Sequence, residues 1–419
     1  MASGLSIFTL LLAFTVTASA AEVGFYGKAL MGMINTSNAK LLERGRPGTA
    51  PESATVASGK VRLRIDVGTD DGLSELVYGF ETGANNFGDE WDYSGDSQDF
   101  ENRFAYIQSA IPAMGDGIYG RAGLQKTRIN HWVWTETAAG LTLHGEGHVN
   151  WQSGWYRGVE DDIADDNDDT DLFLAKVDLS PNSNFRFGGF GIYALDFGGK
   201  EEAVSEADHY WMGLTAEVGG PVFAAGDLIY LGGEAGPGGS EDVSAYLASV
   251  TMGFMVGDAR QISVNALYVS GDDDEDDADR EEFRGIDADV EIGQIFFKDS
   301  LAASLDRFVA DQPYKLANGL INLAVEGQVQ IDPWNKLRAA ARYLASAENM
   351  ATAEGSEDNL GYEFDLWYAH EFNDNLSFRL EGAYLVSGDL TKALFEDEEH
   401  SPAAGASRFD IEPVLVSLL

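Results

Sequence analysis

Cysteine is absent from the 419-residue sequence, so no disulfide can staple this chain and no thiolate can serve it. A chain of this size without disulfides is held either by a buried core or by a hydrogen-bonded sheet that closes on itself. Basic residues are scarce as well: 27 Lys and Arg stand against 70 Asp and Glu, a formal net charge of −43. Nucleic acid is thereby excluded as a partner, because phosphate binding needs the opposite sign. Proline is sparse, at 10 residues against 48 glycines, which argues against a disordered low-complexity chain and for many tight turns and kinked strands.

Long hydrophobic runs are missing too. Leu5 to Ala18 is apolar but shorter than the ~18 residues a membrane-spanning helix needs, and it runs into Ala18-Ser19-Ala20, a small-residue cleavage signature. Residues 1–20 therefore read as a signal peptide, although Met1 to Gly4 lacks the usual Lys or Arg, and residues 21–419 read as a single domain. No later segment could cross a bilayer as a helix, so the remaining chain is either water-soluble or a barrel. Enzyme signatures are also wanting: there is no G-x-S-x-G elbow, Walker loop, H-E-x-x-H or dinucleotide fingerprint after a strand. Gly232 to Gly239 reads as a flexible loop, and no catalysis is expected.

What the sequence does contain is apolar residues at every second position. Ile321, Leu323, Val325, Val329 and Ile331 alternate with Asn322, Glu326, Gln328 and Gln330. After Asp332-Pro333-Trp334-Asn335, Leu337, Ala339, Ala341 and Tyr343 alternate with Lys336, Arg338 and Arg342. That is a hairpin. A second one places Tyr362, Phe364, Leu366 and Tyr368 against Glu363 and Asp365, then Leu376, Phe378, Leu380 and Tyr384 against Arg379 and Glu381. Near the start, Val61, Leu63, Ile65 and Val67 oppose Lys60, Arg62, Arg64 and Asp66, while Leu76, Tyr78 and Phe80 oppose Glu75 and Glu81.

Connections alternate between short and long. Short ones lie near Asp70, Pro112 to Gly117, Pro181 to Asn184, Gly219 to Pro221, Gly257 to Ala259, Pro333 and Asp374. Long polar ones lie at Thr36 to Ala57, Ala84 to Glu101, Gln152 to Thr170, Phe197 to Asp208, Gly232 to Asp242, Gly271 onward, Ala347 to Asn359 and Gly388 to Ser407. The pattern predicts an all-β transmembrane antiparallel barrel of about eighteen strands, sixteen to twenty in range, with short periplasmic turns and long extracellular loops. The weakest strand assignments are Ile129 to Thr137 and Ile286 to Ile292; the second alternates well but would break strand parity without a partner and is assigned alternatively to the loop before Leu320. Tyr193, Tyr230, Tyr268, Tyr343 and Tyr384 fall about nine residues past a short turn, as an interfacial ring would, and Trp151 is placed in the same ring.

Eleven residues are the candidate lumen lining: Arg62, Arg64, Glu75, Glu81, Glu326, Arg338, Arg342, Glu363, Asp365, Arg379 and Glu381. Both signs recur, which either sets up a transverse field at a constriction or pairs off in a wet lumen. Glu160 to Asp171, Asp272 to Glu282 and Glu396 to Glu399 are acid-dense. At an outer mouth they would concentrate cations, or meet lipopolysaccharide phosphates through divalent ions. No run has the twelve-residue calcium-loop pattern, so a specific Ca2+ site is a remote alternative and no cofactor is expected. His144, Glu146 and His148 are assigned to one strand face, with His131 on the preceding segment; imidazoles four strand residues apart are about 13 Å apart, too far to share one metal ion. Asp299 to Ala310 reads as a short helix that either enters the pore or packs on its rim.

On the opening Val23-Gly24-Phe25-Tyr26-Gly27, the run Lys60 to Asp66, Asn102-Arg103-Phe104-Ala105-Tyr106 and Tyr384 to Asp389, the chain resembles Gram-negative outer-membrane porins. The likeness is to those of sulfate- and metal-reducing bacteria and to alginate-export-like barrels. It implies a water-filled diffusion channel for ions and small hydrophilic solutes in the outer membrane, often a homotrimer. A substrate-specific or export channel, or a barrel whose loops bind a surface partner, is the alternative. Two features depart from the pattern: the sequence ends Ser417-Leu418-Leu419 without an aromatic, and Pro413 interrupts the last strand, where a bulge is expected.

Overall fold

In the computed structural model, the residues described are 22–37, 53–86, 100–159, 170–195, 208–235, 240–273, 279–288, 290–296, 317–352, 355–395 and 406–416. The strands are β1 (Glu22–Ser37), β2 (Ser53–Gly68), β3 (Ser74–Asn86), β4 (Phe100–Ala110), β5 (Ile118–Lys126), β6 (Thr137–Gly145), β7 (Val149–Val159), β8 (Thr170–Asn182), β9 (Phe185–Leu195) and β10 (His209–Val218). They continue with β11 (Val222–Ala235), β12 (Glu241–Val256), β13 (Arg260–Val269), the two-residue β14 (Asp279–Arg280), β15 (Leu320–Asp332), β16 (Asn335–Thr352), β17 (Gly355–Asn373), β18 (Leu376–Ser387) and β19 (Ala406–Val416). One helix, α1 (Asp389–Phe395), precedes β19.

Each of the eighteen long strands pairs antiparallel with its neighbours in chain order, β13 pairing directly with β15, and β19 returns to β1. The sheet thus has no free edge, which is the condition for placing strands in hydrocarbon. β14 lies outside this ring and pairs parallel with β12.

Local chemistry sets the short turns. Asp332 Oδ1 accepts the backbone N–H groups of Trp334 and Asn335, each at 2.9 Å. Asn182 and Asn373 do the same two residues on, to Asn184 and Asn375. At the β2–β3 turn Asp71 accepts from Thr69 Oγ1 at 2.6 Å and from Leu73 N–H at 3.0 Å, while Gly72 takes φ +66°. These are Asx turns, in which a short polar side chain substitutes for a backbone acceptor and fixes hairpin register.

Alternation gives the wall two faces. Outward residues such as Leu63, Leu141, Leu228, Val325 and Leu366 are exposed, whereas inward neighbours such as Val77, Leu344 and Leu385 are buried. At the long-loop end, Tyr193, Tyr268 and Tyr384 point outward, and Tyr210, Tyr230 and Tyr246 stand in a row with ring centroids 6.0 Å apart. At the turn end, Phe25, Phe254, Trp334 and Phe372 are outward and exposed. Two aromatic girdles flanking an aliphatic waist are what a bilayer selects on a barrel exterior.

The structure corrects several sequence expectations. Trp151 belongs to the turn-end girdle, because Leu141 to Asn150 is not one strand: β6 stops at Gly145 and β7 begins at Val149 after a turn at 146–148. His144 is accordingly on a strand, whereas Glu146 and His148 lie in that turn and do not share its face. Nor is Gln152 to Thr170 wholly loop, since β7 continues to Val159. Ala347 to Asn359 is likewise strand at both ends: β16 and β17 are 18 and 19 residues long, well beyond the ~9–11 that cross a membrane. Ile129 to Thr137 leaves the wall before β6 starts. Pro413 produces no bulge; β1 and β19 keep one register from Leu30↔Val414 to Met33↔Ile411, and the ladder is interrupted between these pairs. The expected helix at Asp299 to Ala310 and the acid-dense stretch Glu396 to Glu399 lie outside the described residues, as do most of Glu160 to Asp171 and residues 274–278 of the run Asp272 to Glu282.

Candidate functional site

All eleven candidate lining residues project from the inner face, because each shares parity with buried neighbours on its strand. They fall into two groups. On β2–β4, Glu81 is nine-tenths buried and bonded to Arg62, with Lys60 Nζ at 4.0 Å and Arg103 Nη1 at 3.5 Å around it. Arg64 pairs with Asp66 at 2.6 Å and lies over the Tyr26 ring, while Glu75 is half-buried on the same wall. Across the β15–β18 wall, Arg338 bonds Glu326 at 2.6 Å and stacks 4.2 Å above the Trp367 ring. Arg342 grips Asp365; Glu381 is buried and Arg379 exposed. Opposite charges therefore mostly pair on adjacent strands instead of forming two separate rows.

Water still reaches this face. The Arg62, Arg64 and Arg338 side chains are 37%, 40% and 40% exposed although they point inward, so the interior beside them is open and wet.

The other half of the lumen is different, and alternation did not foretell it. On β7–β13 the inward positions nearer the long loops are apolar and buried: Tyr156, Leu172, Ile192, Trp211, Leu231 and Leu247 among them. They are covered by two segments that leave the wall. The first, residues 127–136 between β5 and β6, carries Ile129, Val133 and Trp134 inward; Trp134 meets Tyr156 edge-on at 5.1 Å. The second, residues 281–288 and 290–296 after β14, adds Phe283, Val290, Ile295 and Phe296. Each such side chain contributes on the order of 1.5–3 kcal/mol on full burial, so together they make a true internal core.

Polar contacts join these segments to each other and to the wall. Thr135 N–H donates to Asp287 O at 2.8 Å, and Ile286 N–H to Val133 O at 2.8 Å. The first segment is tied to β11 and β12: Asn130 Nδ2 donates to Asp227 Oδ1 at 2.8 Å, and Trp132 Nε1 reaches Asp227 Oδ2 and Ser249 Oγ, each at 3.2 Å. Lys176 on β8 donates to the carbonyls of Arg128 and Ile129. The second segment is tied to β10, where Trp211 Nε1 donates to Arg284 O at 2.8 Å, and to β17, where fully buried Glu363 accepts three consecutive backbone N–H groups, from Gln294, Ile295 and Phe296, at 2.5, 2.9 and 3.1 Å. Below the first segment lies a cavity of about 480 Å³ bordered by Arg128, Asn130, Lys176, Arg186 and Asp227.

Sequence reasoning named Glu363 as lumen lining but missed this role, as it missed Asp227 and the tie from Trp132. The one available signal was that Ile129 to Thr137 and Ile286 to Ile292, the two runs that form the inward segments, fitted the strand count least well, the second because it would break parity. No group of three or more His, Asp or Glu among the described residues could hold a metal ion.

An eighteen-stranded closed barrel with girdled exterior, polar wall and inward-folded connections defines an outer-membrane-type barrel. The sequence matches no protein-family model and no curated protein. Solved structures do match. The Pseudomonas aeruginosa protein OccK8 (OprE) superposes with a TM-score of 0.55 at 13% identity, over 95% of this chain and 99% of that one. Pseudomonas aeruginosa OprD gives 0.54 at 11% identity over 93% and 94%, and OpdK, solved with vanillate, 0.54 at 10% over 93% and 98%. This chain has the fold of these barrels.

Proposed function

We propose that the chain is an outer-membrane porin that lets ions and small hydrophilic solutes diffuse passively across the membrane. The observation that carries the reading is the pairing of a lipid-matched exterior with inward guanidinium groups that remain in water. A sheet closed in this way can rest in hydrocarbon, and a wet charged interior gives hydrated solutes a path. The two inward segments narrow that path and favour a substrate-selective channel over a wide general pore. OpdK, of like fold, was solved with the small carboxylate vanillate, which supports the same size class of solute here.

Residues 1–20 would direct export, and the surplus of acid in the connecting segments, part of a net charge of −43, would enrich cations at the outer mouth at low salt. Divalent ions there would bridge to lipopolysaccharide phosphates, and three barrels would assemble side by side. Purified protein in planar bilayers should give discrete conductance steps, with a cation-selective reversal potential under a salt gradient that shrinks as ionic strength rises. Silent bilayers, beside a control porin that conducts, would defeat the reading.

A further inference from the structure

We infer that Glu363 and Asp227 are positioning residues that pin the two inward segments as one strap across the lumen, and that this strap sets the size limit of the channel. The inference rests on the channel reading above. Three observations carry it. First, the segments are one body: Val133, Trp134 and Thr135 pair with Ile286 and Asp287, and their apolar side chains share a core. Second, the strap is held at places far apart around the ring: where it leaves β5 and β6, at Asp227 on β11, and at Glu363 on β17. A segment held at three separated points must cross the interior between them.

Third, both distant holds are carboxyl groups that accept hydrogen bonds from the strap. Asp227 takes Asn130 and Trp132 of the first segment, and Ser249 Oγ of the neighbouring strand steadies the same oxygen that Trp132 reaches. Glu363 takes three N–H groups in a row, a concave backbone nest of the sort that binds anions. Nothing in barrel closure requires this: a wall position needs only to be polar or small, and the backbone of Glu363 is already in register with Arg342 on β16 and Leu385 on β18. A carboxylate with no exposed surface, surrounded by backbone donors from a separate segment, is explained by what it holds in place.

The fit is close enough to be broken from either side. A Cβ on Gly293 would stand 2.3 Å from Glu363 Oε1 and 2.8 Å from Oε2. Because that carboxylate is fixed by its three donors, Gly293→Ala forces the strap to lift without altering the wall. Glu363→Gln alters only the wall, replacing one acceptor oxygen with an NH2 group that faces backbone donors.

The test uses the full chain refolded into planar bilayers and into liposomes for swelling assays with sugars of graded size. Heat-modified gel mobility and β-sheet circular dichroism identify folded barrels. Glu363→Gln and Gly293→Ala should each raise conductance severalfold and admit sugars that the parent excludes, and Asp227→Asn should do so from the opposite anchor. Glu363→Asp, which keeps the carboxyl group, should restore much of the parent limit. In this cysteine-free chain the thiol of Gln294→Cys, buried in the parent, should react with a maleimide only when Glu363→Gln is also present. Folded variants with parental conductance and parental sugar cutoff would overturn the role assigned to the strap, while the parent's own steps would leave the channel reading standing. A parent that never conducts would defeat both.

Discussion

The guanidinium of Arg342 on β16 closes on a single oxygen of Asp365 on β17, with Nε at 2.9 Å and Nη2 at 2.7 Å. Both side chains are almost wholly out of contact with solvent, at 5% and 0% exposure. The pair sits beside the buried carboxyl group of Glu363, and the charge of the guanidinium offsets that of Asp365 in a medium of low dielectric.

Removing one partner leaves the other buried and unbalanced. Arg342→Met should destabilise the barrel by about 3–5 kcal/mol, read from urea unfolding in lipid vesicles. Adding Asp365→Leu should recover a large part of that loss, because the uncompensated carboxylate is then gone. A single variant as stable as the parent would show that the pair is not buried in the membrane-embedded protein.

The assignment of faces can be tested with one side chain. Leu366 is outward and half-exposed at the waist of β17, and Leu366→Lys should cost about 2–4 kcal/mol in the bilayer. Gln328→Lys, on the inner face of β15, should cost about 0.5 kcal/mol or less. Equal costs at the two positions would mean that the lipid-facing side has been misassigned.

Arg338 lies over Trp367 and bonds Glu326 while keeping access to water. Its charge therefore acts on passing ions as well as on its neighbours. Arg338→Glu should move the reversal potential further toward cation selectivity, and Arg338→Gln should move it less far in the same direction. Should neither variant shift the potential, the β15–β17 wall does not border the conducting path.

The β2–β3 turn gives a pH signature. Hydrogen bonds from Thr69 Oγ1 and then from the Leu73 N–H hold Asp71 below the ordinary carboxylate range. A carboxyl depressed in the folded state contributes stability that is present above its unfolded pKa and is lost as pH falls through the folded value. Asp71→Ala should consequently unfold more readily than the parent at neutral pH, and the gap should close on acidification through the carboxylate range. A gap that stays constant with pH would assign the effect to lost packing.

How far the sequence carried depended on the range of the interaction. Period two at Ile321 to Ile331 and at Tyr362 to Tyr368 identified the hairpins and their outward faces, because lipid on one side and polar surroundings on the other act on each residue independently. Asp332 and Asn373 marked turns for an equally local reason, a side chain bonding its own backbone two residues ahead. Trp151 was misplaced because three residues, 146–148, suffice to reverse the chain, and Glu146 to His148 carries little turn chemistry beyond Gly147.

By itself, then, the sequence determined a closed antiparallel barrel of about eighteen strands, which residues meet lipid and which face inward, since a bilayer imposes an alternating rule that any one strand obeys without reference to the others. Only the tertiary structure decided what the inward residues meet. Asn130 finds Asp227 across 97 positions and Gln294 finds Glu363 across 69, and no periodicity encodes such partners. Alternation can say that Leu172 and Trp211 point away from lipid; whether they face water or a folded strap depends on where distant segments of the chain come to rest.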